Sequence, residues 1–175
     1  MALKIRKYPD PILRRRAQEI KSINAEIKKL ADGMVERMVL AKGYGLAAPQ
    51  VGILKRMITL DVNNNLYVLI NPEIVEIGEE NIEGLEGCLS IPGAEAEVIR
   101  PARVKVRALT PEGKEIILDD DGLLARVLQH EIDHLNGVLF IDYVSAAKRL
   151  SLLKEYERSQ REGRTSKKTK ATAAL

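Results

Sequence analysis

Two histidines and a glutamate suggest a metal site in the stretch QHEIDHLNG, residues 129–137. Residues four apart lie on one face of an α-helix, so the imidazoles of His130 and His134 can converge on one ion. Glu131 lies about 100° around the helix from His130, where a carboxylate can act as a base on metal-bound water. The spacing indicates hydrolytic metal chemistry, although HExxH is short enough to recur by chance around two structural histidines.

A hydrolytic site of this kind needs a third protein ligand. Metzincins have a further histidine at the position that Phe140 occupies here, which excludes that class. A thermolysin-like site would use a downstream glutamate, such as Glu155 or Glu157. Both lie in KEYERSQRE, a stretch more typical of a solvent-exposed helix face.

Cys88, the single cysteine of the chain, is the remaining candidate. A thiolate is a strong ligand for a borderline metal, whereas a lone cysteine is more commonly a small buried apolar residue. Glycines on both sides of Cys88 in GLEGCLSIPG allow the backbone to approach a ligand closely. A cysteine on this loop would give a three-ligand site with one open position, the arrangement that catalytic metals use.

A helix from residues 119–121 to about Asn136 is predicted to carry the histidines, with Gly137 as its C-terminal cap. Its helical wheel has a histidine side and a separate apolar stripe. The histidine side includes Leu123, Arg126 and Val127, and the apolar stripe comprises Leu124, Leu128, Ile132 and Leu135. The stripe is predicted to pack on the core while the other face floors a cleft.

The elements around this helix predict an α+β fold. Asp10 and Pro11 predict a short helix to about Ala17, Asn24 begins an amphipathic helix that Gly43 ends, and a last helix covers about 145–158. Between them lie short β-branched or alternating runs with turns at Asn63–Asn65, Asn71-Pro72 and 110–113: RMITLDV, LYVLI, EIVEI, AEVI, ARVKVRAL and KEIILD. Mostly antiparallel strands are therefore expected around the HExxH helix, with helices before and after them.

Length and composition predict one domain, residues 1–158, followed by a basic tail. A lone cysteine excludes an intramolecular disulfide, and with no leader and no long apolar run it favours a cytoplasmic protein without a membrane partner. Residues 158–175 carry six Lys or Arg and one Glu, which leaves 22 basic and 24 acidic residues before them. The tail, 159–175, is expected to be disordered; a contact with ribosomal RNA is the alternative, and no DNA partner is expected.

Three motifs in this order resemble those of the peptide deformylase family: GYGLAAPQ at 43–50, EGCLS at 86–90 and QHEIDHLNG at 129–137. The similarity continues through YPDP, INPEI, DGLLARVLQHE and GVLFIDY, over roughly residues 4–145. It implies a metal-dependent hydrolase that removes the formyl group from the N-terminal formyl-methionine of newly made polypeptides. Formyl-methionyl nascent peptides are then its expected partners.

The resemblance also implies the metal chemistry. Cys88, His130 and His134 would hold one divalent ion with water in the fourth place, and Glu131 would act as general base and then general acid. The family implies Fe²⁺ as the physiological ion, with Ni²⁺ or Co²⁺ as good substitutes and Zn²⁺ usually poorer. The ligand types alone would suggest Zn²⁺, so the ion stays open.

Substrate-binding roles follow from the same resemblance. The oxyanion donors would be the side-chain amide of Gln50 and the backbone N–H of Leu89. Backbone groups near Gly45 and Gly87 would pair with the substrate peptide as an added strand.

Four further side chains are expected around the substrate. Leu123 and Val127 are candidates for the pocket that takes the methionine side chain, or else ordinary core residues. Tyr44 and Arg126 would lie at the rim, where many relatives carry an aliphatic residue.

Two other functions remain open from the sequence. A metal-dependent endopeptidase or other amidase would use the same HExxH chemistry on different bonds. A non-catalytic metal-binding or ribosome-binding module would not need Glu131.

Overall fold

The computed structural model describes residues 3–172 of the chain, with side chains through residue 163. Within that range the α-helices are α1 (Ala25–Leu40), α2 (Leu123–Leu135) and α3 (Ala146–Thr172). The strands are β1 (Gly45–Ala47), β2 (Met57–Val62), β3 (Asn65–Ile77), β4 (Asn81–Cys88), β5 (Ile91–Pro101), β6 (Val104–Leu109) and β7 (Glu115–Asp120). Short 3₁₀ helices cover Pro11–Arg14, Ala48–Val51 and Phe140–Asp142.

The strands form two antiparallel sheets in the described part of the chain. One has five strands in the order β1-β2-β3-β6-β7, and the other is the hairpin of β4 and β5. Helices before and after the strands complete the architecture, which confirms the predicted α+β fold.

The apolar stripe of α2 packs against the five-stranded sheet, as the helical wheel predicts. Leu128 and Leu135 are fully buried in one core with Ile58 and Val106 from the sheet. Complete burial of such a leucine contributes about 1.5–3 kcal/mol. The packing of this stripe fixes the helix with its His130 side facing the β4–β5 hairpin, where His130 contacts Glu86.

Both ends of α2 are fixed by short-range contacts. Asp120, still within β7, accepts hydrogen bonds through Oδ1 from the N–H groups of Gly122 (2.8 Å) and Ala125 (3.2 Å). The predicted acidic cap is therefore present, although Gly122 occupies the N-cap position itself. Gly137 follows the helix at φ 76°, and a Cβ there would lie 2.5 Å from the carbonyl oxygen of Arg14, so this predicted glycine stop is confirmed.

The start of α1 agrees with the prediction, whereas its C-terminal end differs by one residue. Asn24 caps the helix as expected, because its side chain accepts a 3.1 Å hydrogen bond from the N–H of Ile27. At the other end Lys42, not Gly43, adopts the left-handed conformation, with φ 56°. The N–H of Gly43 donates to the carbonyl of Met38 (3.1 Å), which is the longer bond of a Schellman cap.

Strand β3 is continuous where a break was predicted at Asn71-Pro72. The pairing with β6 shifts register between Ile70 and Glu73, so the proline is accommodated at an irregularity. Asn71 has φ 50°, and its side chain makes two 2.9 Å hydrogen bonds with the backbone N–H and C=O of Ile20. This long-range contact replaces the turn.

Other differences concern short or atypical segments. The N-terminal helix ends at Arg14 instead of about Ala17, because the Ala17 N–H donates to the carbonyl of Leu135 (2.8 Å). Strands β1 and β4 were not predicted. The first has three residues, and the second contains Gly84 and Gly87 and has no regular alternation.

Helix α3 continues to Thr172, so the predicted helix end near Arg158 is wrong. Leu152 and Tyr156 are buried and anchor its first half. Lys, Arg, Glu and Gln favour helix even without packing, which explains the longer helix. The domain boundary at 158 and disorder of residues 159–175 in solution stay predictions.

No helix in the described range is both long enough and apolar enough to cross a membrane.

Candidate active site

The structure brings Cys88, His130 and His134 together. Their potential ligand atoms all lie within 4.8 Å of one another, and Cys88 Sγ is 3.3 Å from His134 Nε2. Cys88 ends β4, whereas the histidines lie one turn apart on α2. One thiolate and two imidazoles are a fitting donor set for a divalent transition metal. Among the described residues no other His, Cys, Asp or Glu joins this group.

Glu86 holds the ring of His130 in one orientation. Its Oε2 lies 2.9 Å from His130 Nδ1, which leaves Nε2 on the side of Cys88 and His134 as the available ligand atom. Phe140 stacks against the His130 ring, with a centroid distance of 6.3 Å and an interplanar angle of 25°. The residue at the metzincin position thus packs the site instead of binding the ion.

A buried ion network holds Glu86 in place. Arg100, with a side chain 3% exposed, donates to Glu86 through Nε (2.5 Å) and Nη2 (3.0 Å) and to Asp133 (2.8 Å). Arg126 donates to Glu86 at 2.8 Å. Burial would raise the pKa of the Glu86 carboxyl, but its bonds with His130 and Arg100 hold that pKa at about 2.

Charges in the site favour the thiolate form of Cys88. Burial alone would raise the pKa of the thiol, but the adjacent imidazoles of His134 and His130 hold it well below 9.0. Burial would lower the pKa of His130, but hydrogen bonds with Cys88 and Glu86 raise it to about 10, so an ion that binds here would displace the proton between this ring and the thiolate. The thiolate is the form that binds metals.

Glu131 is a buried carboxyl beside Cys88, His130 and His134. It is 4% exposed, and its Oε2 has no hydrogen-bond partner among the described residues. Burial raises the pKa of this carboxyl above its ordinary value. A buried carboxyl with one unpaired oxygen is suited to accept and return a proton.

Gly45 makes room for this glutamate. A Cβ on Gly45 would lie 2.5 Å from Glu131 Oε1 and 2.7 Å from Glu131 Cδ, closer than real contacts allow. Gly87 differs, because a Cβ there would meet nothing nearer than 3.5 Å. Of these two glycines, Gly45 is therefore the one that the packing of the site requires.

The side chain of Gln50 is fully buried and held in one orientation. Its Oε1 accepts a 2.8 Å hydrogen bond from the N–H of Ala47. The amide nitrogen consequently points to Ser90 Oγ (3.2 Å) and Cys88 Sγ (3.6 Å). An N–H donor is thus fixed next to Cys88, as a stabiliser of a developing negative charge must be.

A cleft of about 390 Å³ adjoins the site. Apart from His134, all the site residues expected from sequence line it: Tyr44, Gly45, Gln50, Gly87, Cys88, Leu89, Leu123, Arg126, Val127, His130 and Glu131. Tyr44 is 62% and Leu123 43% exposed, so both lie towards the mouth. Val127 is buried, and it contributes to the core between α2 and the five-stranded sheet as well as to the cleft.

Arg126 is less available than a rim residue would be. Its guanidinium donates to Glu86, to the carbonyl of Val98 (3.0 Å) and to the carbonyl of Ile82 (2.8 Å). A Cβ on Gly84 would lie 2.9 Å from this guanidinium, so the strand packs directly on it. A direct contact of Arg126 with substrate stays a prediction.

Sequence reasoning missed the groups that support the ligands: Glu86, Ser90, Arg100 and Asp133. Arg100 gave a detectable signal. It occupies an inward position of β5, in the alternating series with the buried Ala94, Ala96 and Val98. A charged residue at such a position requires a buried partner.

The comparisons with known proteins agree on one family. The sequence profile of polypeptide deformylases matches residues 2–150. A peptide deformylase of Thermodesulfovibrio yellowstonii is 50% identical over 160 residues, 89% of this chain and 96% of that protein. The crystal structure of peptide deformylase from Ehrlichia chaffeensis covers 93% of this chain and 99% of its own, with a TM-score of 0.90 and 38% identity. Its complex with actinonin, at 40% identity, has a TM-score of 0.88 and covers 91% and 98%. The chain therefore belongs to the polypeptide deformylase family.

Proposed function

We propose that this chain is a peptide deformylase that hydrolyses the N-formyl group of formyl-methionyl peptides and releases formate. The observation that carries this function is the cluster of Cys88, His130 and His134, whose ligand atoms lie within 4.8 Å of one another beside the buried carboxyl of Glu131. The cluster adjoins a cleft that can admit a peptide N-terminus. Membership in the deformylase family supports the same reaction.

A divalent ion bound by these three residues would acidify water and polarise the formyl oxygen. We propose Fe²⁺ as the physiological ion, with Ni²⁺, Co²⁺ or Zn²⁺ in purified protein. The Cys88 thiolate and two imidazoles suit all four ions, and the choice of Fe²⁺ rests on the family resemblance.

Glu131 is proposed to move the proton. It takes a proton from the attacking water as the water oxygen bonds to the formyl carbon. It then gives this proton to the methionine nitrogen as the C–N bond breaks, so that formate and a free amine leave. The burial that raises its pKa, and its unpaired Oε2, support this exchange.

Gln50 and Leu89 are proposed to stabilise the negative charge that develops on the formyl oxygen. The amide of Gln50 is already oriented by Ala47, so it needs no reorganisation during the reaction. Leu89 directly follows the metal ligand Cys88 and offers its backbone N–H. The loss of one such donor typically raises the barrier by about 3–4 kcal/mol.

The substrate peptide is proposed to extend between the backbones of Gly45 and Gly87. An extended peptide can add to strand edges through main-chain hydrogen bonds, and both glycines line the cleft on the edge strands β1 and β4. Leu123 and Val127 line the cleft on the histidine side of α2 and are proposed to contact the methionine side chain. Tyr44, at the mouth of the cleft, would contact the substrate residues that follow the methionine.

The test is formate release from formyl-Met-Ala-Ser, compared with acetyl-Met-Ala-Ser, Met-Ala-Ser and a longer blocked peptide. We expect formate from the first peptide alone, and no cleavage of internal peptide bonds. Cleavage of the blocked peptide without formate release would instead favour the endopeptidase alternative.

Formylated nascent chains are the proposed partners, and the cytoplasm, where they are made, is the proposed location. The resemblance to deformylases and the reducing environment that a lone cysteine ligand needs support both. A ribosome contact through the basic tail is a separate proposal that rests on charge alone.

A further inference from the structure

An N-terminal segment, residues 6–8, contacts both loops that carry the proposed oxyanion donors. The N–H of Arg6 donates to the carbonyl of Gln50 at 2.7 Å. Lys7 Nζ donates to the carbonyl of Leu89, and the N–H of Tyr8 donates to the carbonyl of Ser90 at 2.9 Å. Three consecutive residues thus hold the backbone of one donor loop and then of the other.

The two donors need such a connection because they belong to different parts of the fold. Gln50 lies in the 3₁₀ turn after β1, a strand of the five-stranded sheet. Leu89 lies in the turn between β4 and β5, which form a separate sheet in the described residues. Oxyanion donors work only when both are aimed at the same point, and a displacement of about 1 Å in an active site can cost about a hundredfold in rate.

The segment is itself held at both ends. On the Gln50 side, the guanidinium of Arg6 packs on Gly52, where a Cβ would lie 2.9 Å from Arg6 Nε. On the Leu89 side, the Tyr8 ring makes an edge-to-face contact with Tyr156 of α3 at 6.4 Å, and the Tyr156 hydroxyl donates to the Tyr8 carbonyl at 3.1 Å. The segment is therefore fixed to the body of the protein, not only to the donor loops.

Lys7 is the one side chain of residues 6–8 that bonds directly to a donor residue. Lys7 is an exposed residue, and partial burial of its ammonium lowers the pKa of that group. The contact fixes the carbonyl of Leu89, one peptide unit away from the N–H that is proposed to face the substrate.

We propose that residues 6–8 form a brace that sets the relative position of the two oxyanion donors, with Lys7 as the positioning residue for Leu89. This inference rests on the proposed function, because it assumes that Gln50 and Leu89 stabilise the developing charge. Lys7 does not touch the reacting atoms; it acts through the turn that follows Cys88.

The test compares Lys7→Met, Lys7→Arg and the control Lys4→Met in formate release from formyl-Met-Ala-Ser. Lys4 is an exposed lysine three residues before Lys7. Lys7→Met keeps the length of the side chain but removes the donor, so kcat should fall about tenfold while KM changes less than about twofold. Lys7→Arg should restore most of kcat, and Lys4→Met should match the wild type.

Unfolding by urea and metal content are measured on the same samples. Both should be unchanged in Lys7→Met, since the backbone bonds of the brace remain. An unchanged kcat in Lys7→Met, or a loss that Lys7→Arg does not restore, would overturn the inference. Failure of the wild type to release formate would instead overturn the proposed function, so the two failures are distinguishable.

Discussion

Replacement of Glu86 by glutamine should destabilise the protein by about 3 kcal/mol. The exchange keeps the shape of the side chain but leaves the buried guanidinium of Arg100 with Asp133 as its remaining carboxylate partner. Removal of one partner from a buried ion pair typically costs about 3–5 kcal/mol, and the remaining Asp133 contact favours the lower end of that range. The pKa of Glu86, about 2 against 4.5 for a free carboxyl, corresponds to roughly 3 kcal/mol near neutral pH.

Urea unfolding at pH 7 measures this loss, with Glu76→Gln as the matched control. Glu76 also bonds to an arginine and a lysine, but its pair with Arg103 is exposed on both sides. Exposed pairs contribute about 0–1 kcal/mol, so the control should lose far less stability than Glu86→Gln. Equal losses in the two variants would refute the claim that the buried network stabilises the site.

The same variant has a predicted pH dependence. Because the folded-state pKa of Glu86 lies below that of a free carboxyl, its stabilisation is complete above about pH 5 and is lost as the pH falls from 4.5 towards 2. The difference in unfolding free energy between wild type and Glu86→Gln should therefore shrink between pH 5 and pH 3. A difference that stays constant would contradict the assigned pKa. Loss of the carboxylate charge that faces His130 should also weaken metal affinity about 10- to 100-fold, measured by competition with a chelator.

Two further predictions concern a glycine and the tail. Gly45→Ala should lower kcat by at least about tenfold in a formate assay, because its methyl group displaces Glu131. Equal kcat in Gly45→Ala and wild type would contradict the packing argument. Gly87→Ala should leave the stability to urea unchanged and mainly raise KM. Deletion of residues 160–175 should leave activity on short peptides unchanged, since buried Tyr156 is retained. If ribosome binding in low-salt sedimentation is also unchanged, the proposed ribosome contact is wrong.

The spacing of residues along α2 was enough to predict the orientation of this helix. His130 and His134 fall on one face of any helix, and the stripe through Leu128 is apolar, so the position of α2 between core and cleft followed from periodicity. The pairing of Cys88 with these histidines required a choice among ligand types, and the resemblance to deformylases strengthened it.

Contacts between distant segments explain what the sequence could not predict. The two hydrogen bonds of Asn71 to Ile20 keep β3 continuous through a proline, and nothing near either residue indicates them. Arg100 and Glu86 are fourteen positions apart on paired strands, so their contact depends on hairpin register. The contact of Lys7 with Leu89 could not be predicted either, since in the sequence this lysine resembles a solvated surface charge.

The most direct test of the central claim measures metal content and formate release together in wild type, Glu131→Gln and Cys88→Ala. Glu131→Gln keeps all three ligands and the shape of the side chain, so it should retain the metal and lose turnover by at least about a hundredfold. Cys88→Ala removes a ligand and should lose both. Turnover near the wild-type rate in Glu131→Gln, or full metal content in Cys88→Ala, would contradict the assignment of a three-ligand hydrolytic centre served by Glu131.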